Sequence, residues 1–258
     1  MGVCEEYQKL RLKIEEYIRC DVAQGFSPDS KKLHMLKNIL IVGGTSGVGL
    51  ELAKMYHKLG HTVIIAGRKN PDVESITYVN FVISANTHQT IENLDIMLDT
   101  LPNIHTLIYA AGFYQEGHID NLKDTDILQM INVGLLVPTL LVQRLKNNEG
   151  KPLAVMLITS SSQYTPREFE PVYTATKAGL GMLGDSVSLD PDIGKVLVAA
   201  PSGMKTPFWE SHNKDTSEFL DPSWVAEQII DVSNGPFKYR YAHILKNPSR
   251  VEIIQTRQ

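Results

Sequence analysis

The run Asn38-Ile39-Leu40-Ile41-Val42-Gly43-Gly44-Thr45-Ser46-Gly47-Val48-Gly49 constrains this chain more than any other stretch. An unbroken apolar run that passes straight into a glycine string fits a strand buried on both faces of a parallel sheet. A helix is predicted from about Gly47 to Leu59, with Leu52, Ala53, Tyr56 and Leu59 on one face and Gly60 as its cap. In such a unit Gly43 permits the turn, Gly47 lets the backbone approach a pyrophosphate, and Gly49 lets the helix pack on the sheet. The unpaired N–H groups that open the helix then face the phosphate, with Thr45, Ser46 and Val48 beside them. No Lys-Ser/Thr pair follows the last glycine, which excludes a P-loop.

The alternation continues along the chain. Strands are predicted at Val63–Ile65, near Ile76–Ile83, at Thr106–Ala110, Ala154–Ile158 and Val196–Ala199, and a last strand and tail within Tyr241–Ile254. Helices are predicted over about Asp126–Lys146, from near Val172, and over Trp224–Val232. Strands alternating with helices at this spacing indicate an α/β fold with a parallel sheet. Ahead of it, Glu5–Asp21 reads as an amphipathic helix carrying Tyr7, Leu10, Ile14, Tyr17 and Ile18, and Gln24–Lys37 as a linker. The chain is therefore divided into an N-terminal arm, 1–34, and one catalytic domain, 35–258. The helix either packs on its own domain or serves as a dimerisation arm.

Charge and composition narrow the function classes. With 25 Lys+Arg against 29 Asp+Glu, nothing resembles a footprint for nucleic acid or an anionic membrane. Cys4 and Cys20 are too few for a disulfide framework and fit a reducing compartment. The apolar runs Ile39–Val42 and Val133–Val142 are too short, or broken by Gly134 and Pro138, for a membrane span, so a cytoplasmic protein is expected. The eight histidines form no H-x-H or H-E-x-x-H, so no metal is expected, and His105 and His243 read as structural. No G-x-S-x-G elbow supports a serine hydrolase.

Two further patterns bear on chemistry. The second strand ends in Ala66-Gly67-Arg68-Lys69, with no carboxylate to hold a ribose 2′-hydroxyl, while Arg68 offers a planar fork to a 2′-phosphate. NADP(H) is thus expected over NAD(H). Tyr173 and Lys177 stand four apart on a helix, hence on one face, where a cation can stabilise a phenolate and make the tyrosine an acid or base. Upstream, Thr159-Ser160-Ser161-Ser162 ends the fifth strand, at the carboxyl edge where open α/β sheets bind ligands.

Taken together, these motifs resemble the short-chain dehydrogenase/reductase family, from about Asn38 to at least Val232. Gly43, Gly47 and Gly49 match its glycine turn, Asn132 its helix asparagine, Ser160 its serine thirteen positions before the tyrosine, and Tyr173 and Lys177 its Tyr-x-x-x-Lys. Pro201-Ser202-Gly203-Met204-Lys205-Thr206 resembles its P-G-x-x-x-T segment, whose Thr contacts the carboxamide. The resemblance implies a single-domain, doubly wound, mostly parallel Rossmann-type sheet with helices on both faces. It also implies hydride transfer between nicotinamide and a carbonyl or alcohol of a small molecule. In this reading Tyr173 is the general acid/base, its pKa depressed by Lys177, and Ser160 bonds the substrate oxygen. Lys177 binds the ribose, and Asn132 holds a water that replenishes the proton.

Three positions depart from the family. Its Asn-Asn-Ala-Gly is Tyr109-Ala110-Ala111-Gly112, which keeps Ala111 and Gly112 at the cofactor; its adenine-side Asp is Ser84; and Ser202 replaces a glycine. Phe208 and Trp209, opening a lid of about fifteen residues that ends at Asp221-Pro222, either line an apolar pocket or pack the lid down, and Tyr114 and Tyr164 border the site by position. The family leads one to expect a homodimer through the helices at Asp126–Lys146 and Tyr173. Alternatives are an epimerase or dehydratase using bound nicotinamide transiently, and a non-catalytic NADPH sensor or scaffold.

Overall fold

The computed structural model describes residues 37–146, 152–210, 212 and 214–258. The expected helix at Glu5–Asp21 and its linker, with Cys4 and Cys20, lie outside them. Eight strands form one sheet in the order β3-β2-β1-β4-β5-β6-β7-β8. They are β1 (Asn38–Val42), β2 (Thr62–Gly67), β3 (Thr77–Asn80), β4 (Thr106–Tyr109), β5 (Leu153–Ile158), β6 (Ile193–Pro201), β7 (Tyr239–Leu245) and β8 (Arg250–Arg257). All neighbours are parallel except β7 and β8.

Side chains of a strand alternate between faces, and the core follows that rule. Leu40, Val42, Ile64, Leu107, Val155, Leu157 and Val196 share one face. Ile39, Ile41, Val63, Ile65, Ile108, Met156 and Leu197 share the other. The first face is covered by helices α2 (Thr87–Asp99), α4 (Val137–Leu145) and α5 (Pro171–Val187), through Leu94, Met97, Leu141, Leu145 and Leu180. The second is covered by α1 (Gly47–Lys58) and α6 (Pro222–Ser233), through Leu52, Ala53, Val225 and Ile229. This two-sided burial is why β1 reads as a continuous apolar run.

Three elements differ from expectation. Helix α2 was not foreseen; it buries only Thr90, Leu94 and Met97, a narrow stripe in a polar segment, and its sequence signal is Asn86, whose side chain caps Gln89 N–H at 3.1 Å. The expected last strand and tail is instead an antiparallel hairpin, β7–β8, with a register irregularity at Tyr241/Ala242. The expected helix over Asp126–Lys146 is α3 (Asp124–Ile131), a π-helical turn at Asn132–Leu136, and α4. At 22 residues, Asp124–Leu145 is long and apolar enough to cross a membrane by length and composition, more than the Val133–Val142 run suggested. Its buried Val133, Val137, Leu141 and Leu145 belong to the core.

Candidate active site

Chain order reverses beside β1: β2 and β3 lie on one side, and the chain returns to β4 on the other. That reversal opens a crevice at the carboxyl ends of β1 and β4, the usual ligand site of an open α/β sheet. The cleft there is lined by the glycine turn, Arg68, Ala111, Gly112, Ser160, Tyr173, Lys177, Pro201, Gly203, Thr206, Phe208 and Trp209. One crevice thus brings together most of the residues singled out in the sequence. Residues not singled out also line it: Phe81, Ile83, Phe113, Gln129 and Val133.

The glycine turn cannot carry side chains. Gly43 has φ +82°, and a Cβ there would overlap the Ala111 backbone; Gly47 has φ +53° and would meet Thr206 Cγ2 at 3.0 Å. Bare backbone at the start of α1 therefore faces the crevice from Thr45, Ser46 and Val48, a cradle shaped for a pyrophosphate. At the end of β2, Arg68 is exposed and lines the same cleft, and no carboxylate is among the described lining residues. These features fit a dinucleotide, with its phosphates on the turn.

Tyr173 and Lys177 lie on α5, both buried. Lys177 Nζ donates to the Ile158 carbonyl at 3.2 Å and stands 5.6 Å from the Tyr173 ring centroid. Burial brings the Lys177 ammonium down to about 8. The expectation that Lys177 depresses the Tyr173 phenol is not met in this structure. Burial pushes that phenol well up, the Glu170 carboxylate pushes it further, and a hydrogen bond with Ser160 and the Arg167 cation only partly oppose them. Desolvation is the larger effect because a buried phenolate loses its water. Ser160 caps the short 3₁₀ turn Ser161–Gln163, its Oγ accepting from Ser162 N–H at 3.1 Å.

Asn132 stands behind the cleft wall and not on it. Its Nδ2 donates to the Ser84 carbonyl at 2.8 Å, and its Oδ1 accepts from Thr87 Oγ1 at 3.2 Å, so its amide is spent on fixing the π turn. Ser84 is likewise absent from the described lining, where Phe81 and Ile83 stand instead. Tyr109, in place of the family asparagine, is buried and donates its hydroxyl to the Val133 carbonyl in the same turn.

The lid starts from a pinned base: Leu220 N–H donates to Gly203 O and Lys205 N–H to Leu220 O, both at 2.9 Å. Phe208 and Trp209 do both things expected of them, lining the cleft and packing the lid down. Trp209 Nε1 donates to Met204 O at 3.1 Å, and Phe208 and Trp209 rings meet at 4.9 Å. Tyr114 does not line the cleft but packs against them, edge-on to Tyr173 at 5.2 Å, to Trp209 at 5.5 Å and to His212 at 4.9 Å. Tyr164 does not border the cleft; it stacks on His243 at 3.8 Å, and His243 Nε2 also meets the Tyr241 hydroxyl at 2.8 Å.

The short chain dehydrogenase family profile matches residues 37–217. The 3-oxoacyl-(acyl-carrier-protein) reductase of Rickettsia felis is 25% identical over 194 residues, 71% of this chain and 79% of that protein. Two solved structures share the fold. One is a short-chain dehydrogenase from Sphingobium yanoikuyae in complex with NADPH, at TM-score 0.67 and 21% identity over 76% of this chain and 84% of that one. The other is a 3-ketoacyl-(acyl-carrier-protein) reductase from Brucella melitensis complexed with NADH, at TM-score 0.68 and 18% identity over 81% and 96%.

Proposed function

That this chain belongs to the short chain dehydrogenase family is the premise from which we propose its activity: NADPH-dependent reduction of a carbonyl on a neutral, apolar or aromatic small molecule. The observation that carries this reading is the buried Tyr173–Lys177 pair beside Ser160 in a cleft whose only charged described lining residues are Arg68 and Lys177. Arg68 stands at the end of β2, where a 2′-phosphate fits its planar fork. The substrate end is walled by Phe113, Phe208 and Trp209, which favour an apolar flank next to the carbonyl.

When bound, the nicotinamide supplies the hydride to the carbonyl carbon. Tyr173 Oη gives its proton to the carbonyl oxygen, and a phenol pushed up by burial reaches that step protonated. Ser160 Oγ donates to the same oxygen and holds it at the phenol. Lys177 binds the ribose hydroxyls and keeps the phenolate near a donor after proton loss. Asn132, through Ser84 and Thr87, fixes the π turn that presents Val133 to the cleft. We also infer a homodimer through α3 and α5, which pack together and leave Leu128, Ile131 and Met182 exposed.

The test is NADPH consumption over a panel of aryl and alkyl ketones and aldehydes. The wild type is expected to turn over at least one of them, and Tyr173→Phe to lose about 10²–10⁴-fold in rate. Equal rates in the two proteins would overturn Tyr173 as proton donor.

A further inference from the structure

Glu170 stands at the N-cap position of α5, one turn before Tyr173, with its carboxylate turned away from the helix's own N–H groups, and no spacing rule pointed to it. Its carboxylate ties three elements together. Oε2 accepts from Ser162 Oγ at 2.8 Å, and Oε1 accepts from the Tyr114 hydroxyl at 3.3 Å. Ser162 lies in the 3₁₀ turn after Ser160 and its own N–H donates to Ser160 Oγ, and Tyr114 lies edge-on against the Tyr173 ring. The side chain of Glu170 is only 14% exposed.

We propose that Glu170 is a positioning residue for the Ser160–Tyr173 pair, fixing the serine through Ser162 and the tyrosine through Tyr114. This rests on the carbonyl-reductase reading but has its own observable. A carboxylate held beside a buried phenol opposes a second negative charge there, so the phenol keeps its proton and the oxidative direction, which needs the phenolate, is disfavoured. The other charged and titratable groups around the pair are few. Arg167 meets Glu170 at 3.6 Å from a half-exposed position. Lys177 Nζ lies 5.6 Å from the Tyr173 ring centroid. Glu116 acts on Tyr114 while paired with Lys214 at 2.7 Å, the His212 ring meets Tyr114, and His118 and Glu168 face each other at 3.9 Å. Glu170 is thus the carboxylate bonded directly into the Ser162–Tyr114 frame.

The experiment titrates Tyr173 itself, in the full chain labelled with carbon-13 at tyrosine Cζ, the Tyr173 signal being assigned by its loss in Tyr173→Phe. In Glu170→Gln, which removes the charge, keeps one acceptor oxygen and turns an N–H donor toward the other hydroxyl, the Tyr173 signal is expected to begin its phenolate shift roughly one pH unit lower than in wild type. In Arg167→Ala, which removes the cation opposing Glu170, the onset moves upward. Ser162→Ala removes a hydrogen bond and no charge; it should slow carbonyl reduction several-fold while leaving the onset in place. Coincident onsets in wild type and Glu170→Gln overturn the proposal, as does an onset that moves equally in Ser162→Ala. Because the titration needs no turnover, an inactive wild type would overturn the reductase reading and leave the Glu170 result to be judged on its own.

Discussion

At the scale of single residues, the site places two ionisable groups where burial opposes their charge. Lys177 is the clearer case: its ammonium is brought from 10.5 to about 8 by desolvation. An unfolded chain keeps the ordinary lysine value, so between pH 8 and 10.5 the unfolded state holds more protons and stability rises with pH across that window. Below the window both states are charged and the folded chain carries the full penalty, on the order of 3 kcal/mol. Lys177→Met is therefore expected to unfold at a higher temperature than wild type at neutral pH without cofactor, and the gap to close as pH passes through the window. Thermal unfolding followed by circular dichroism checks this; a gap independent of pH would mean that the buried charge is not what is being removed. Losing activity while gaining stability is the usual exchange at a functional group held in an unfavourable place. Tyr173 and Lys177 were legible because a four-residue helical spacing governs them, and the strand end marked the hydroxyls Thr159–Ser162, among which the family resemblance singled out Ser160. Glu170, Phe81 and Thr87 were not, since their roles come from contacts across the fold.

At the scale of elements, β1, the glycine turn and α1 were legible together because each supports the next. A strand buried on both faces is apolar throughout, and the turn admits no side chain at Gly43. Helix α2 was hidden because so little of it is buried, and β8 because most of it is exposed and bears Arg250, Glu252, Gln255, Thr256 and Arg257. The π turn at Asn132–Leu136 had no sequence signal of its own; it is held from outside the helix by Ser84, through Asn132, and by Tyr109, through the Val133 carbonyl. The end of β2 carries a prediction of its own. With Arg68 lining the cleft and no carboxylate beside it, Arg68→Ala is expected to weaken NADPH binding by about tenfold or more and NADH binding little. Fluorescence titration of the two cofactors checks it, and equal losses would remove the 2′-phosphate role.

At the scale of the whole molecule, the doubly wound sheet opens one crevice that the glycine turn, Tyr173 and the aromatic residues Phe113, Phe208 and Trp209 line together, so the proposed cofactor and substrate would share one cleft. The proposed dimer would use exposed apolar residues of α3 and of α5, the helix that carries Tyr173, so a surface change is what would separate assembly from activity. Met182 is 65% exposed on α5, and Met182→Glu is expected to turn a dimer into a monomer by light scattering while leaving the fold intact. A wild type that is already monomeric would remove the dimer. The central claim is that this chain moves a hydride from NADPH to carbon, with the proton coming from Tyr173. It is tested most directly with NADPH deuterated at nicotinamide C4 on the transferred face and mass spectrometry of the product. The account predicts one deuterium on the carbinol carbon with wild type and almost none with Tyr173→Phe over the same time. Product formed without deuterium, or label equal in both proteins, would contradict it.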